Sequence, residues 1–266
     1  MTVSESSGEF NSRALDREFR ILHMYYDLMS LYGDWANPVV LARELSARGA
    51  AAVVDKRSVG DEMDISSYHF IYIGSGTEKS QLACMRDLLR FKDIFIDQIN
   101  AGIPVLASGN SHELFGRVVT DRNAKSHKML DLLGFETVQS NTRVTGDCMC
   151  TATFLDDKLI GFINRAGGKQ EGDIERPFFI EPGEGANYAA CHEGIRYKNL
   201  LGTYMTGPVL VRNPPLLRYF ADVIMGGMGS LFNNSGKSDE GFDRVSIDDP
   251  FFEYQERAYI AALTAL

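Results

Sequence analysis

The sequence predicts an α/β protein with a doubly wound, mostly parallel sheet that antiparallel strands extend. Three observations predict it: strands and helices alternate through the first half, their connections are short, and strand-like segments dominate the second half. Alternation with short connections favours parallel pairing through right-handed crossovers. Because 266 residues is near the upper limit for one hydrophobic core, we expect a single domain over residues 19–266, after a disordered or frayed tail at residues 1–18.

Aliphatic and aromatic runs predict strands in the first half at residues 19–26, 51–54, 69–73 and 104–107. Apolar periodicity predicts helices at residues 38–48 and 81–100, with another from about Ser111. Short polar segments follow the third and fourth strands, at residues 74–76 and 108–110. Ligands of such sheets bind beyond the carboxyl ends of the strands, so this edge is the predicted place for a site.

The second half is different in character. Residues 135–179 combine strand-like runs with polar turns, which predicts antiparallel strands that extend the sheet. A helix is predicted at residues 215–225 and a last one at residues 250–263, with a loop rich in Gly, Asn and Ser at residues 226–243 between them.

Charge and composition limit the classes of partner. The 27 basic and 36 acidic residues leave a formal net charge of −9, which argues against a nucleic-acid or anionic-membrane surface. No apolar run is long enough to predict a transmembrane helix, and the polar N-terminus has no apolar core of a signal peptide. We therefore expect a cytoplasmic protein. Four irregularly spaced cysteines suggest reduced thiols, and we expect neither a metal site nor a cofactor.

Three segments in chain order carry a resemblance to a known family. They are LYGDWAN at residues 31–37, the stretch from GIPVLA at residues 102–107 to ELFG at residues 113–116, and GTYMTGP at residues 202–208 followed by Asn213 and Pro214. They resemble the cobyric-acid-synthase-like branch of class I glutamine amidotransferases. That branch includes the amidotransferase subunit that partners a Mur-ligase-like enzyme on cell-wall precursors.

The resemblance implies a chemistry whose two central residues are missing here. Family members attack glutamine with a cysteine at a strand-to-helix turn, and a histidine acts as base. The same-length alignment places Gly109 at the cysteine and Thr206 at the histidine. The Gly-Gly pair that follows the cysteine becomes Asn110 and Ser111, and a glutamine in the next helix becomes Glu113. We therefore predict an amidotransferase-like subunit without glutaminase activity.

The prediction has a geometric form. If Gly109 and Thr206 replace a reacting pair, their Cα atoms should lie about 7–10 Å apart at the carboxyl edge of the sheet. Gly109 should occupy the turn with a positive φ, which glycine tolerates. A pocket lined by Ser75, Asn110, Glu113 and Thr206 would favour a retained binding role.

The resemblance also implies which partners and residues are involved. We expect binding of a glutamine-like small molecule or of an ATP-dependent amide-forming subunit such as a Mur-ligase-like enzyme, in cobalamin-type or cell-wall precursor amidation. The predicted ligand-binding residues lie in the two polar segments and just after them: Gly74, Ser75, Gly76, Ser108, Asn110, Ser111 and Glu113.

An alternative keeps the enzyme active through a relocated nucleophile, with Ser108, Ser111 and Cys191 as candidates. The more common use of the two serines is to cap the following helix. His112 is expected to be partly exposed and to point away from the turn. Cys191, next to a histidine in sequence, would need catalytic partners from elsewhere in the fold.

Overall fold

The computed structural model describes residues 18–226 and 249–266. The predicted tail, apart from residue 18, and the predicted loop, apart from residue 226, lie outside the described residues. The strands are β1 (Glu18–Met24), β2 (Ala51–Arg57), β3 (Phe70–Ile73), β4 (Val105–Ser108), β5 (Val118–Thr120), β6 (Ser126–Lys128), β7 (Phe135–Ala152), β8 (Leu155–Gly172), β9 (Phe178–Pro182), β10 (Cys191–Glu193), β11 (Ile195–Tyr197) and β12 (Leu200–Thr203). The helices are α1 (Ala36–Ala47), α2 (Glu78–Leu88), α3 (Lys92–Ala101), α4 (Val209–Arg212), α5 (Pro214–Gly226) and α6 (Pro250–Ala265).

The first sheet confirms the predicted fold class. Its order is β11-β12-β4-β3-β1-β2, with parallel pairing throughout except at β11, which extends the edge antiparallel to β12. The central strands β3, β4 and β12 are buried at every position, as expected for a parallel sheet covered on both faces. The chain crosses from β3 to β4 through α2 and α3, so the carboxyl ends of both strands meet at one edge.

The predicted antiparallel extension is only partly right. Residues 135–172 form the long β7–β8 hairpin, which belongs to a second sheet of order β10-β9-β7-β5-β6 with β8 paired to β7. An antiparallel bridge between Ile163 on β8 and Met205 after β12 joins this hairpin to the first sheet. The hairpin therefore lies over the carboxyl edge of the parallel strands and contributes residues to whatever site is there.

Two helix predictions need correction. Residues 81–100 form two helices separated by a 3-10 turn at Leu89–Phe91, where Arg90 pairs with Asp87 and Glu62. The helix expected from Ser111 is a 3-10 helix over Gly109–Phe115. It cannot continue as an α-helix because the Leu114 and Phe115 carbonyls accept hydrogen bonds from the segment at residues 130–133.

The core has one part on each face of the parallel sheet. On one face α1 and α5 pack side chains such as Leu41 and Phe220 against the sheet and the β7–β8 hairpin. On the other face α2 and α3 pack Met85 and Phe95 against β3 and β4. Burial on both faces holds the strand ends, and thus the turns that follow β3 and β4, in fixed positions.

Candidate functional site

The turn after β4, formed by residues 108–110 and called the elbow here, brings the two substituted positions together. Gly109 has φ +63, as predicted. Its N–H donates to the Met205 carbonyl at 3.2 Å. Because Thr206 directly follows that carbonyl, standard backbone dimensions put the Gly109 and Thr206 Cα atoms at most about 9 Å apart. The two positions face each other as the alignment requires.

Ser75 occupies the space that a side chain at position 109 would need. A Cβ atom built on Gly109 would lie 2.3 Å from the Ser75 Cβ and 3.2 Å from its Cα. Ser75 is itself fixed, because its N–H and hydroxyl both donate to Asp34 Oδ2, at 2.6 and 2.5 Å. A cysteine therefore does not fit at the elbow unless the loop at residues 74–77, called the glycine-rich loop here, moves.

Asp34 lies behind the glycine-rich loop and accepts the two hydrogen bonds from Ser75. Its carboxyl is fully buried, and burial raises its pKa to about 7 although hydrogen bonds from Ser75 oppose the shift. Its Oδ1 atom has no hydrogen-bond partner among the described residues. The structure places Asp34 behind the glycine-rich loop as the group that holds Ser75.

The groups that an amide-hydrolysing site would offer are used internally. The Ser75 N–H donates to Asp34 Oδ2 at 2.6 Å and the Gly76 N–H donates to Asn110 Oδ1 at 3.0 Å. Neither loop N–H is free to stabilise an oxyanion. The Thr206 hydroxyl donates to the Phe162 carbonyl at 3.1 Å, and a threonine cannot act as a base near neutral pH.

A pocket of about 210 Å³ opens over the elbow. All four residues named for such a pocket, Ser75, Asn110, Glu113 and Thr206, line it. Its complete lining comes from the loop before α1, the glycine-rich loop, the elbow and the β7–β8 hairpin: Leu31, Tyr32, Ser75, Gly76, Thr77, Glu78, Asn110, Glu113, Gln139, Arg143, Asn164, Arg165, Ala166 and Thr206.

Three predicted ligand-binding residues do not line this pocket. A Cβ on Gly74 would lie 2.3 Å from the Met29 carbonyl oxygen, so glycine is needed there for packing. The Ser108 hydroxyl lies 2.7 Å from the Tyr72 hydroxyl. The Ser111 hydroxyl donates to the Ile73 and Ser108 carbonyls, at 2.9 and 2.8 Å. Neither serine caps the following helix with its side chain, which corrects that expectation.

The other candidate nucleophiles and bases are not placed for chemistry at the elbow. His112 is fully buried rather than partly exposed, and its Nδ1 is 2.8 Å from the Gly109 carbonyl oxygen. Burial lowers the pKa of His112 to about 3. Cys191 lies on β10, outside the pocket lining, and desolvation with the Glu193 carboxylate raises the pKa of its thiol. An activated thiol has a lowered pKa.

Glu113 is a buried acid on the pocket wall. It is 3% exposed. Gln81 Nε2 and the Tyr204 hydroxyl donate to it at 2.9 and 2.8 Å, and Gln139 Nε2 does so at 3.4 Å. Burial raises the pKa of Glu113, and these hydrogen bonds oppose the shift. Every partner is a donor, so the contacts suit a carboxylate rather than a protonated acid.

Sequence reasoning missed the residues that the β7–β8 hairpin contributes. The Arg165 guanidinium lies 4.3 Å from the centre of the Tyr204 ring. Arg143 donates through Nε to Asn164 Oδ1 at 2.5 Å, and Asn164 Nδ2 donates to the Tyr32 hydroxyl at 3.0 Å. A register shift between residues 139 and 143 redirects this part of β7. Bulges are common beside functional sites, but the sequence shows them only as a weak glycine signal at residues 167–168.

The described part of the chain comprises residues 18–226 and 249–266. Within those ranges no three His, Cys, Asp or Glu side chains are grouped so that they could hold a metal ion. Among the helices of the same ranges, none has the length and apolar character needed to cross a membrane.

A parallel sheet with an elbow after β4 and a glycine-rich loop after β3 defines the class I glutamine amidotransferase-like fold. The chain belongs to the CobB/CobQ-like glutamine amidotransferase domain family, whose model matches residues 20–214. It is similar to the lipid II isoglutaminyl synthase (glutamine-hydrolyzing) subunit GatD of Streptococcus pneumoniae, at 31% identity over 75% of this chain and 77% of that protein.

The corresponding subunit of Staphylococcus aureus is 28% identical over 77% of this chain and 84% of that protein. A glutamine amidotransferase crystal structure from Thermotoga maritima aligns over 92% of this chain and 93% of that one, with a TM-score of 0.48 and 13% identity. The family assignment rests on the family model and the sequence relatives.

Proposed function

We propose that this chain is an amidotransferase-like subunit that does not release ammonia from glutamine and that acts with an ATP-dependent amide-forming partner in the cytoplasm. The observation that carries the first part is the filled nucleophile position, where Ser75 takes the volume of a Gly109 side chain. Loss of the base at Thr206 and of the loop N–H groups acts in the same direction. Three separate requirements of glutamine hydrolysis are therefore missing at one place.

The relatives support cell-wall precursor amidation as the setting. Both are named as subunits of an enzyme that acts on lipid II, so a Mur-ligase-like synthetase is the partner that we propose. The elbow pocket supports retained binding of a small polar ligand, because its lining carries both acidic and basic side chains, among them Glu113 and Arg165.

Ammonia release from glutamine tests this proposal. We expect no release above a protein-free blank, either from the chain alone or after co-purification with the Mur-ligase-like protein of the same organism. The positive control for labelling at the elbow is the triple variant Ser75→Gly/Gly109→Cys/Thr206→His, which restores nucleophile, base and space but not the free loop N–H groups. In this variant a glutamine-mimicking electrophile should label position 109, whereas Gly109→Cys alone should stay unlabelled because Ser75 blocks the thiol.

Two results would contradict the proposal. The first is ammonia release by the unmodified chain. If release persists in a variant that lacks Ser108, Ser111 and the four cysteines, the chemistry is one that the elbow does not explain. If the variant releases none, one of these residues is a relocated nucleophile. Failure of the chain to co-purify with any Mur-ligase-like protein of its source would remove the proposed partner.

A further inference from the structure

The elbow pocket has an inner and an outer part that differ in chemistry. Ser75, Glu113, Gln139 and Thr206 are each less than one-tenth exposed and form the inner wall. Glu78, Arg143 and Arg165 are partly or fully exposed and form the outer wall. A ligand that fills the pocket must satisfy both walls with its two ends.

The inner wall presents acceptors. The Ser75 hydroxyl donates its hydrogen bond to Asp34 at 2.5 Å, and the Thr206 hydroxyl donates its hydrogen bond to the Phe162 carbonyl at 3.1 Å. Each hydroxyl oxygen therefore faces the pocket only with lone pairs. One N–H of the Gln139 side-chain amide donates to Glu113 at 3.4 Å, which leaves its carbonyl oxygen as a further acceptor and its second N–H as a donor.

Glu113 adds a negative charge to these acceptors. A carboxylate has about four lone-pair sites, and the three hydrogen bonds from Gln81, Tyr204 and Gln139 leave one for a ligand. Few hydrogen-bond donors remain for a ligand carbonyl, because the Ser75 and Gly76 N–H groups already donate to acceptors within the chain. Asn110, which is half-buried, keeps a side-chain N–H group because its oxygen accepts from Gly76.

The outer wall suits an α-amino acid head group. Arg165 stacks on Tyr204 at 4.3 Å and donates to the Ala166 carbonyl, and it forms no ion pair with any other described residue. Arg143 is 3.9 Å from Glu78, whose carboxylate also pairs with Arg122 at 3.4 Å. A ligand carboxylate can bind to the two arginines of this wall, and its α-ammonium group can then share the Glu78 carboxylate with Arg122. Planar guanidinium groups are well matched to carboxylates.

Building on the proposed loss of hydrolysis, we infer that the pocket binds an amino acid whose side chain ends in a primary ammonium group, with that group on the Ser75–Glu113–Thr206 wall and the carboxylate on Arg143 and Arg165. An ammonium group has three donors and no acceptor, which complements an inner wall of acceptors. The side-chain amide of glutamine can also donate N–H groups to this wall, but it carries no charge to pair with Glu113, and hydrogen bonds between charged groups are roughly twice as strong as neutral ones.

L-Ornithine and L-glutamine form a matched pair of probes, because their side chains have the same length and differ by a methylene in place of the amide carbonyl. Titration calorimetry with the full chain should show ornithine binding at least tenfold more tightly than glutamine. Glu113→Gln, which keeps the size of the side chain and its acceptor oxygen, should abolish this preference. Arg165→Gln should weaken both ligands, and Lys92→Gln, outside the pocket, should weaken neither.

Circular dichroism and the melting temperature of each variant verify that it folds. Equal or tighter binding of glutamine, or an ornithine preference that survives Glu113→Gln, overturns the inference. Absence of binding by both probes also overturns it, yet leaves the proposed function intact if ammonia release is absent and the partner complex forms. Hydrolysis of glutamine by the unmodified chain, in contrast, would overturn the proposed function first.

Discussion

At the residue scale, the contact between Gly109 and Ser75 determines what the elbow can hold. Gly109 needs to be glycine for two reasons that can be separated: its φ of +63 and the Ser75 Cβ at 2.3 Å from an added Cβ. A left-handed backbone costs an L-residue about 1–2 kcal/mol. Steric overlap in a packed interior costs about 1–3 kcal/mol more.

We therefore expect Gly109→Ala to lower the free energy of unfolding by about 2–5 kcal/mol, as measured by urea denaturation. Gly185→Ala is the matched control, because Gly185 has φ +78 and no atom within 4 Å of an added Cβ. Its cost should be only the backbone part, about 1–2 kcal/mol. Introducing Ser75→Gly should remove most of the difference between the two sites. Equal costs for the two variants in the unmodified background would show that Ser75 does not fill the elbow.

At the element scale, two buried asparagines connect the segments that resemble the family into one frame. Asn37, at the start of α1, donates to the Tyr72 hydroxyl at 2.7 Å and accepts from the Leu210 N–H at 2.8 Å. Asn213, between α4 and α5, accepts from the Ile160 N–H and donates to the Ile160 carbonyl, at 2.7 and 2.9 Å. Asn213 thereby holds β8, and with it the hairpin side of the pocket, against the helices.

Asn213→Asp tests this frame. The aspartate keeps an acceptor for the Ile160 N–H but cannot donate to the Ile160 and Val209 carbonyls, and it buries a charge at a fully buried position. We expect a loss of at least about 3 kcal/mol in the free energy of unfolding. Asn141→Asp, at an exposed position of the hairpin, should change stability by less than about 0.5 kcal/mol. A cost at position 213 as small as that at position 141 would mean that β8 is held in another way.

At the scale of the whole molecule, buried ionisable groups make stability depend on pH in opposing ways. His23 is buried on β1 beside the Tyr72 ring, and neither ring nitrogen has a hydrogen-bond partner among the described residues. Burial, with a contribution from Lys56, lowers its pKa from the ordinary 6.5 to about 4. The unfolded chain therefore binds a proton at this histidine below pH 6.5 while the folded chain does not, and stability falls as the pH falls.

Asp34 has the opposite effect, because burial raises its pKa to about 7 and the folded chain keeps a proton that the unfolded chain releases. Comparison of variants isolates the histidine. We expect His23→Leu to raise the free energy of unfolding by about 1–3 kcal/mol at pH 7, since it removes two unsatisfied polar atoms.

Between pH 6.5 and pH 4 the advantage of His23→Leu over the unmodified chain should grow by up to about 3 kcal/mol. Denaturant unfolding at several pH values measures it. A difference that stays constant with pH would show that burial does not lower the pKa of His23 in the folded protein.

The sequence by itself determined the parallel sheet, the position of the elbow and the glycine and threonine that stand at positions 109 and 206. These properties are local, because a strand, the turn that follows it and the residue in that turn are consecutive along the chain. The three collinear motifs supported them. The predicted strand ends at residues 73 and 107 lie within one residue of the observed ends.

Only the tertiary structure decided what surrounds positions 109 and 206. Ser75 fills the elbow, Arg143 and Arg165 enter from the β7–β8 hairpin, and His112 is buried against Tyr204. Each contact joins segments that are far apart in sequence. A buried hydrogen-bond donor has no water to bind, so it pairs with whichever acceptor the fold places nearby. The sequence cannot show that the Ser75 hydroxyl donates to Asp34, because the partner of a buried hydroxyl depends on which acceptor the folded backbone places within reach.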